Sequence, residues 1–211
     1  MTETGGYLPA KLDKLGRAAV LVVDMLNDFA HPEGAYARHG AVCDSFEAIV
    51  PNVRFVMERA QLAGVTTISA HQVVYQDGAG RSITGGGMQA TRPWLAEEGF
   101  RPGSWGSELI EALPRAVIRI DKPRASAFLY TPLDAILKGL GTETVVIVGC
   151  YTNQCVVSTA RDAWARDLNV VIVTDAVTAF DRRLHYATLE SLRPLTVQLT
   201  TAEVAGLLSA E

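Results

Sequence analysis

Short, mainly apolar runs alternate with stretches of helical spacing along nearly the whole chain. The runs are Arg17–Asp24 (RAAVLVVD), Val65–Ala70 (VTTISA), Ala116–Ile120 (AVIRI), Val145–Val148 (VVIV), Val170–Thr174 (VVIVT) and Thr196–Thr200. They are β-branched and unalternating, which predicts strands buried on both faces, as in a parallel sheet. Between them, Phe46–Leu62 carries Ile49, Val53, Val56, Met57 and Ala60 at helical spacing and stops at Gly64. Helices are also expected over Ser107–Leu113, over Thr131–Leu140 with Thr131 as cap, over the stretch after Asn153, and over Arg183–Leu192 and Glu203–Leu208. Strand followed by helix about six times predicts an α/β fold: a three-layer α-β-α sandwich around an open, about six-stranded parallel sheet.

Two stretches break the rhythm. Residues 25–40 (MLNDFAHPEGAYARHG) are rich in turn residues and read as a loop. Residues 76–106 hold DGAGRS, GGG and both Trp94 and Trp105. A connection this long inside a compact domain is unusual and predicts a cover over an active site. Residues 1–15 read as a loosely ordered N-terminal arm, and no linker divides 1–211 into more than one domain.

Composition narrows the function classes. A net charge of −4 offers no basic footprint for nucleic acid or an anionic membrane. No apolar run approaches the roughly 20 residues of a membrane-spanning helix. The three cysteines, Cys43, Cys150 and Cys155, form no even framework, which predicts reduced thiols in a cytoplasmic protein.

In open parallel sheets, ligands bind at the carboxyl ends of the strands. Three chemically active residues fall at such ends: Asp24, Lys122 and Cys155. Taken singly, each has a structural explanation: a helix cap, a solvated strand-end charge and a small core residue. Together they form an acid, an ammonium and a thiol that can meet in one crevice. A nearby ammonium and a helix N-terminus favour a thiolate at Cys155, and a carboxylate can take the thiol proton and return it to a leaving amine.

The stretches VLVVDMLNDF, DKPRASAFLYTPLDAIL and VVIVGCYTNQCVVSTARDA resemble the three signatures of the isochorismatase-like cysteine hydrolases, over about Arg17 to Val197. The resemblance implies Cys155 as nucleophile, Asp24 as base and Lys122 as the partner that stabilises the thiolate. It also implies a cis peptide between Cys150 and Tyr151 and an oxyanion hole formed by the Tyr151 and Cys155 amides. Retention of Cys155 favours amide hydrolysis over the vinyl-ether cleavage of the isochorismatases. His71 stands alone where nicotinamidases resemble a paired-His metal site, so no metal or other cofactor is expected. The resulting expectation is a cysteine hydrolase cleaving the C–N bond of a small linear amide, ureido or carbamoyl compound through a thioester. A nicotinamidase-type amidase and an isochorismatase-type hydrolase stand as alternatives. By the same resemblance the chain is expected to form a dimer or tetramer. Phe29, Trp94 and Trp105 are candidate apolar walls of the substrate pocket, and Arg92 and Arg124 candidate clamps for a substrate carboxylate.

Overall fold

In a computed structural model, which describes Leu12 and residues 14–208, the apolar runs pair as six parallel strands in the order β3-β2-β1-β4-β5-β6. These are β1 (Ala18–Val23), β2 (Thr66–Gln72), β3 (Ile118–Lys122), β4 (Thr144–Cys150), β5 (Asn169–Thr178) and β6 (Val197–Leu199). The helices in chain order are α1 (Asn27–Ala30), α2 (Ala35–Arg38), α3 (Phe46–Leu62), α4 (Gly86–Thr91), α5 (Leu133–Gly139), α6 (Val157–Trp164), α7 (Arg182–Leu192) and α8 (Thr201–Leu207). Most of the arm expected over 1–15 lies outside the described residues.

Strand alternation sorts the apolar side chains into two cores, giving the three layers. Val20, Val22, Val146, Val148, Val171 and Val173 pack on Val53, Val56 and Met57 of α3 and Val204 of α8. Leu21, Val23, Val145, Ile147, Val170 and Ile172 point the other way, onto Leu133 and Leu137 of α5, Ala160 and Ala163 of α6 and Leu189 and Leu192 of α7. Both faces of the central strands are covered, so β1 and β4 carry no polar alternation, whereas the edge strand β3 alternates Ile118, Arg119, Ile120 and Asp121.

Chain direction across the sheet reverses between β1 and β4, which lie side by side with Val23 opposite Gly149. A crevice at the strand ends opens where strand order reverses. Gly149 has φ +110°, and a Cβ there would stand 2.1 Å from the Val23 carbonyl oxygen. Only glycine lets the two strand ends approach this closely.

Several boundaries differ from the sequence expectation, each for a tertiary reason. The helix expected over 107–113 is absent. After a 3-10 turn at Trp105–Ser107, Leu109 bridges Leu26, the Ile110 N–H donates to the Met25 carbonyl, and the Asn27 N–H donates to the Glu108 carbonyl. Backbone groups committed to a neighbouring chain segment cannot close a helix. Residues 25–40 are not all loop, because α1 and α2 are single helical turns within them. Strand β2 runs on to Gln72, and β3 lies two residues later than expected, so Lys122 is the last residue of its strand.

Candidate active site

Lys122 lies at the end of β3, two strands from β1, and its long side chain reaches back across the end of β2 to Asp24. The ammonium is 2.7 Å from Asp24 Oδ2, and neither side chain is exposed. It also donates to Cys155 Sγ at 3.3 Å, to Gln72 Oε1 at 3.1 Å and to the Arg124 carbonyl at 3.2 Å. Asp24 has φ 54°, an uncommon left-handed conformation for a residue with a side chain. Its Oδ1 accepts the Gln72 N–H at 2.8 Å. The acid, the ammonium and the thiol thus meet at the strand ends.

The route to Cys155 is not the one expected. Residues Thr152–Val156 form a π-helical turn, and the α-helix starts only at Val157. The Val156 N–H reaches back to the Tyr151 carbonyl at 3.2 Å. Cys155 therefore precedes the first α-helical turn rather than lying within it. Thr152 places its hydroxyl 2.9 Å from His185 Nδ1 on α7, and no side chain caps the turn. The peptide bond between Cys150 and Tyr151 is cis, and Cys150 Sγ donates to the Asp24 carbonyl at 3.1 Å.

Electrostatics correct the sequence expectation for the thiol. Burial pushes the Cys155 thiol up to about 12, the adjacent Asp24 carboxylate pushes it the same way, and the Lys122 ammonium only partly opposes them. At rest Cys155 is a neutral thiol. Burial works against the Lys122 charge, but the Asp24 carboxylate beside it more than offsets this and holds the ammonium above its ordinary value.

A cavity of about 390 Å³ opens on Cys155. The segment expected to cover the site supplies one wall through Gly85, Gly87, Met88, Thr91 and Arg92, while Gln72, Arg124 and Gln154 supply others. Both candidate clamps, Arg92 and Arg124, line it. Arg92 lies over the Tyr36 ring with its carbon 5.2 Å from the centroid. Arg124 donates to the Thr84 and Pro123 carbonyls at 2.8 and 2.7 Å. Among the described residues no carboxylate forms an ion pair with either.

The three aromatic candidates are placed elsewhere. Phe29 is buried against Tyr36, Phe100 and Tyr151. Trp94 stacks on His39 and meets the edge of Tyr36. Trp105 is half exposed, packs edge-on against His31, and lines a separate cavity of about 680 Å³. None of them lines the Cys155 cavity. For the two tryptophans the reason is that the backbone between Pro93 and Ser107 is held by buried partners. Asp28 accepts the Phe100 and Ala35 N–H groups at 2.6 and 2.9 Å, and Arg101 donates to the Leu95 and Ala96 carbonyls.

His71 is buried, and its two ring nitrogens face the Ser107 carbonyl at 2.7 Å and Ser69 Oγ at 2.8 Å. Both positions through which it would bind an ion are occupied. No group of three or more His, Cys, Asp or Glu side chains among the described residues is arranged to hold a metal. Cys43, Cys150 and Cys155 are all free thiols. No helix among the described residues is long and apolar enough to cross a membrane.

Gln72 is a site residue that no sequence pattern above singled out. Its backbone orients Asp24 and its side chain orients Lys122, from a position in register with Lys122 on the neighbouring strand. The signal was the strand end: extending VTTISA by two residues puts Gln72 beside the catalytic candidates.

The isochorismatase-domain family model matches residues 18–204. Ureidoacrylate amidohydrolase RutB of Methylobacterium radiotolerans is 27% identical over 210 residues, covering 89% of this chain and 79% of that protein. The crystal structure of a cysteine hydrolase from Pseudomonas syringae pv. phaseolicola superimposes with a TM-score of 0.84 at 26% identity, covering 97% of this chain and 98% of the other. N-carbamoylsarcosine amidase from Thermoplasma acidophilum superimposes with a TM-score of 0.70 at 26% identity, covering 88% and 96%. With its sheet order, its strand-end acid, lysine and cysteine and a match over nearly its whole length, the chain belongs to the isochorismatase family, among the isochorismatase-like cysteine hydrolases.

Proposed function

We propose that this chain is a cysteine amidohydrolase that cleaves the C–N bond of a small linear amide, ureido or carbamoyl compound bearing a carboxylate. The observation that carries the reading is the buried Lys122 ammonium, 2.7 Å from the Asp24 carboxylate and 3.3 Å from the Cys155 thiol at the edge of a cavity. The carboxylate requirement rests on Arg92 and Arg124, two guanidinium groups in the cavity wall without ion-pair partners among the described residues. Two of the similar proteins are named as amidases of ureido or carbamoyl compounds.

The chemistry starts from a neutral thiol. Asp24 is in ion contact with Lys122 through Oδ2, and its carboxylate lies within hydrogen-bonding reach of the Cys155 thiol, so it can receive the thiol proton. As the substrate carbonyl meets Cys155, the thiol proton passes to Asp24, the sulfur bonds to the carbonyl carbon, and the carbonyl electron pair moves onto oxygen. Lys122 stabilises the sulfur while it is negative. The Tyr151 and Cys155 N–H groups face the oxyanion. When the intermediate collapses, protonated Asp24 gives its proton to the departing nitrogen, and ammonia or an amine leaves. Asp24 then deprotonates a water, which attacks the thioester. The carboxylic acid, or the carbamic acid from a ureido or carbamoyl substrate, leaves as the carbon–sulfur bond breaks, and the proton returns to sulfur.

The test is ammonia release from ureidoacrylate, N-carbamoylsarcosine, biuret, maleamate, nicotinamide and neutral aliphatic amides, with Cys155→Ala as control. Turnover confined to carboxylate-bearing members and lost in the variant is the expected result. Turnover that survives in Cys155→Ala would sink the nucleophile assignment.

A further inference from the structure

Tyr36, on the single-turn helix α2, has a fully buried side chain whose polar end is almost unsatisfied. Its hydroxyl has one partner, the Met88 thioether, at 3.9 Å. Sulfur of this kind is a weak acceptor, and a buried hydroxyl without a good partner costs free energy that a folded protein normally avoids. The ring itself is held firmly: Phe29, Trp94 and Phe100 meet it edge-on and Phe180 stacks on it. The hydroxyl therefore cannot swing away to a better partner.

What screens it is thin. Met88 and Arg92 both line the Cys155 cavity, and both touch Tyr36, Met88 at the hydroxyl and Arg92 over the ring. Met88 belongs to α4, a six-residue helix with no buried residue that follows Gly85 and opens on Gly86 and Gly87. Met88 is only partly buried where it packs against the core, and its unbranched thioether side chain has other rotamers open to it. Tyr36 itself does not line the cavity; with Met88 aside, its hydroxyl would border the wall that Arg92 forms.

We propose that Tyr36 is a substrate-recognition residue: its hydroxyl and Arg92 form the polar pole of the cavity that takes the substrate carboxylate, with Met88 screening it at rest. A phenol O–H donor beside a guanidinium fits a carboxylate, which accepts from both. The inference rests on the amidohydrolase reading and adds to it the residue that selects for charge.

Protection of Cys155 against alkylation by iodoacetamide tests it without requiring turnover. The probes are N-carbamoylglycine and its neutral amide, and the concentration giving half protection is read for each protein. The wild type is expected to be protected at lower concentration by the carboxylate. Tyr36→Phe is expected to raise that concentration about tenfold, the loss of one hydrogen bond to a charged group, and to leave the neutral amide's value unchanged. Its melting temperature in the absence of ligand is expected to hold or rise, because a poorly satisfied buried hydroxyl has been removed. Met88→Ala is expected to lower the carboxylate's value in the wild-type background and to have no effect in Tyr36→Phe.

A wild type that prefers the carboxylate, with Tyr36→Phe shifting neither probe or both equally, would overturn the role of Tyr36 and leave the amidohydrolase reading standing. A wild type protected equally by both probes would overturn the carboxylate pole itself. Protection by neither probe would overturn the proposed substrate class, and this inference with it.

Discussion

Lys122 and Asp24 form an ion pair of 2.7 Å from which solvent is wholly excluded. Such a pair is costly to assemble and more costly to halve, since removing one partner leaves a buried, uncompensated charge. Lys122→Met or Asp24→Leu alone is expected to destabilise the fold by about 3–5 kcal/mol. The double variant is expected to recover much of that loss, and urea unfolding of the four proteins measures the coupling. Additive losses would mean that the charges do not depend on one another.

Raised pKa values at this site make its stability pH-dependent in a defined direction. The Cys155 thiol goes from 9.0 to about 12 on folding, so between those values the folded chain holds a proton that the unfolded chain has released. Stability from this group is complete below pH 9 and is lost as pH rises towards 12. Lys122, also raised, acts in the same sense. Denaturant midpoints are expected to fall more steeply with pH above 9 in the wild type than in Cys155→Ala. Over the same range alkylation of Cys155 should accelerate, from a rate at neutral pH slower than that of a free cysteine. Rapid alkylation at pH 7 in the absence of ligand would contradict a neutral resting thiol.

Gln72 holds both charged partners of the thiol, so its loss should act on catalysis through them. In Gln72→Leu the backbone bond to Asp24 survives and the acceptor for Lys122 disappears. A kcat about 10–100-fold lower is expected, the worth of one hydrogen bond to a charged group. The pH dependence of alkylation should shift as Lys122 loses its orientation, and Gln72→Glu, which keeps the acceptor, should restore part of both. A change in KM alone would make Gln72 a wall residue.

Gly149 is where the close approach of β1 and β4 tolerates no side chain. Gly149→Ala combines a positive φ with a Cβ 2.1 Å from the Val23 carbonyl oxygen. The expected result is a loss of at least about 2 kcal/mol in urea unfolding, with activity falling alongside because Asp24 and Cys150 flank the contact. An alanine variant of unchanged stability would show that the strand ends can separate freely.

Asp24→Asn keeps the shape of the carboxylate and removes its basicity. A kcat lower by about 10²–10⁴ is expected, the range of general acid–base catalysis, with initial ammonia release as the measurement. An active Asp24→Asn enzyme would require another group to take the thiol proton.

The layered α/β sheet was legible in the chain's own pattern, because unbroken β-branched runs such as Val145–Val148 are stable only between two covering layers. The same pattern also placed Asp24, Lys122 and Cys155 at strand ends, since runs of this kind show where strands stop. Tertiary structure decided what local patterns do not encode. Residues 107–113 carry helical spacing but spend their backbone hydrogen bonds on residues 25–27. Trp94 and Trp105 look like pocket walls until the Asp28 and Arg101 contacts turn the cover segment and bring Met88 and Arg92 to the cavity instead. The charge state of Cys155 was the least legible of all. A lysine nearby argues for a thiolate, but the balance depends on burial and on how near the carboxylate lies, and both are properties of the assembled fold.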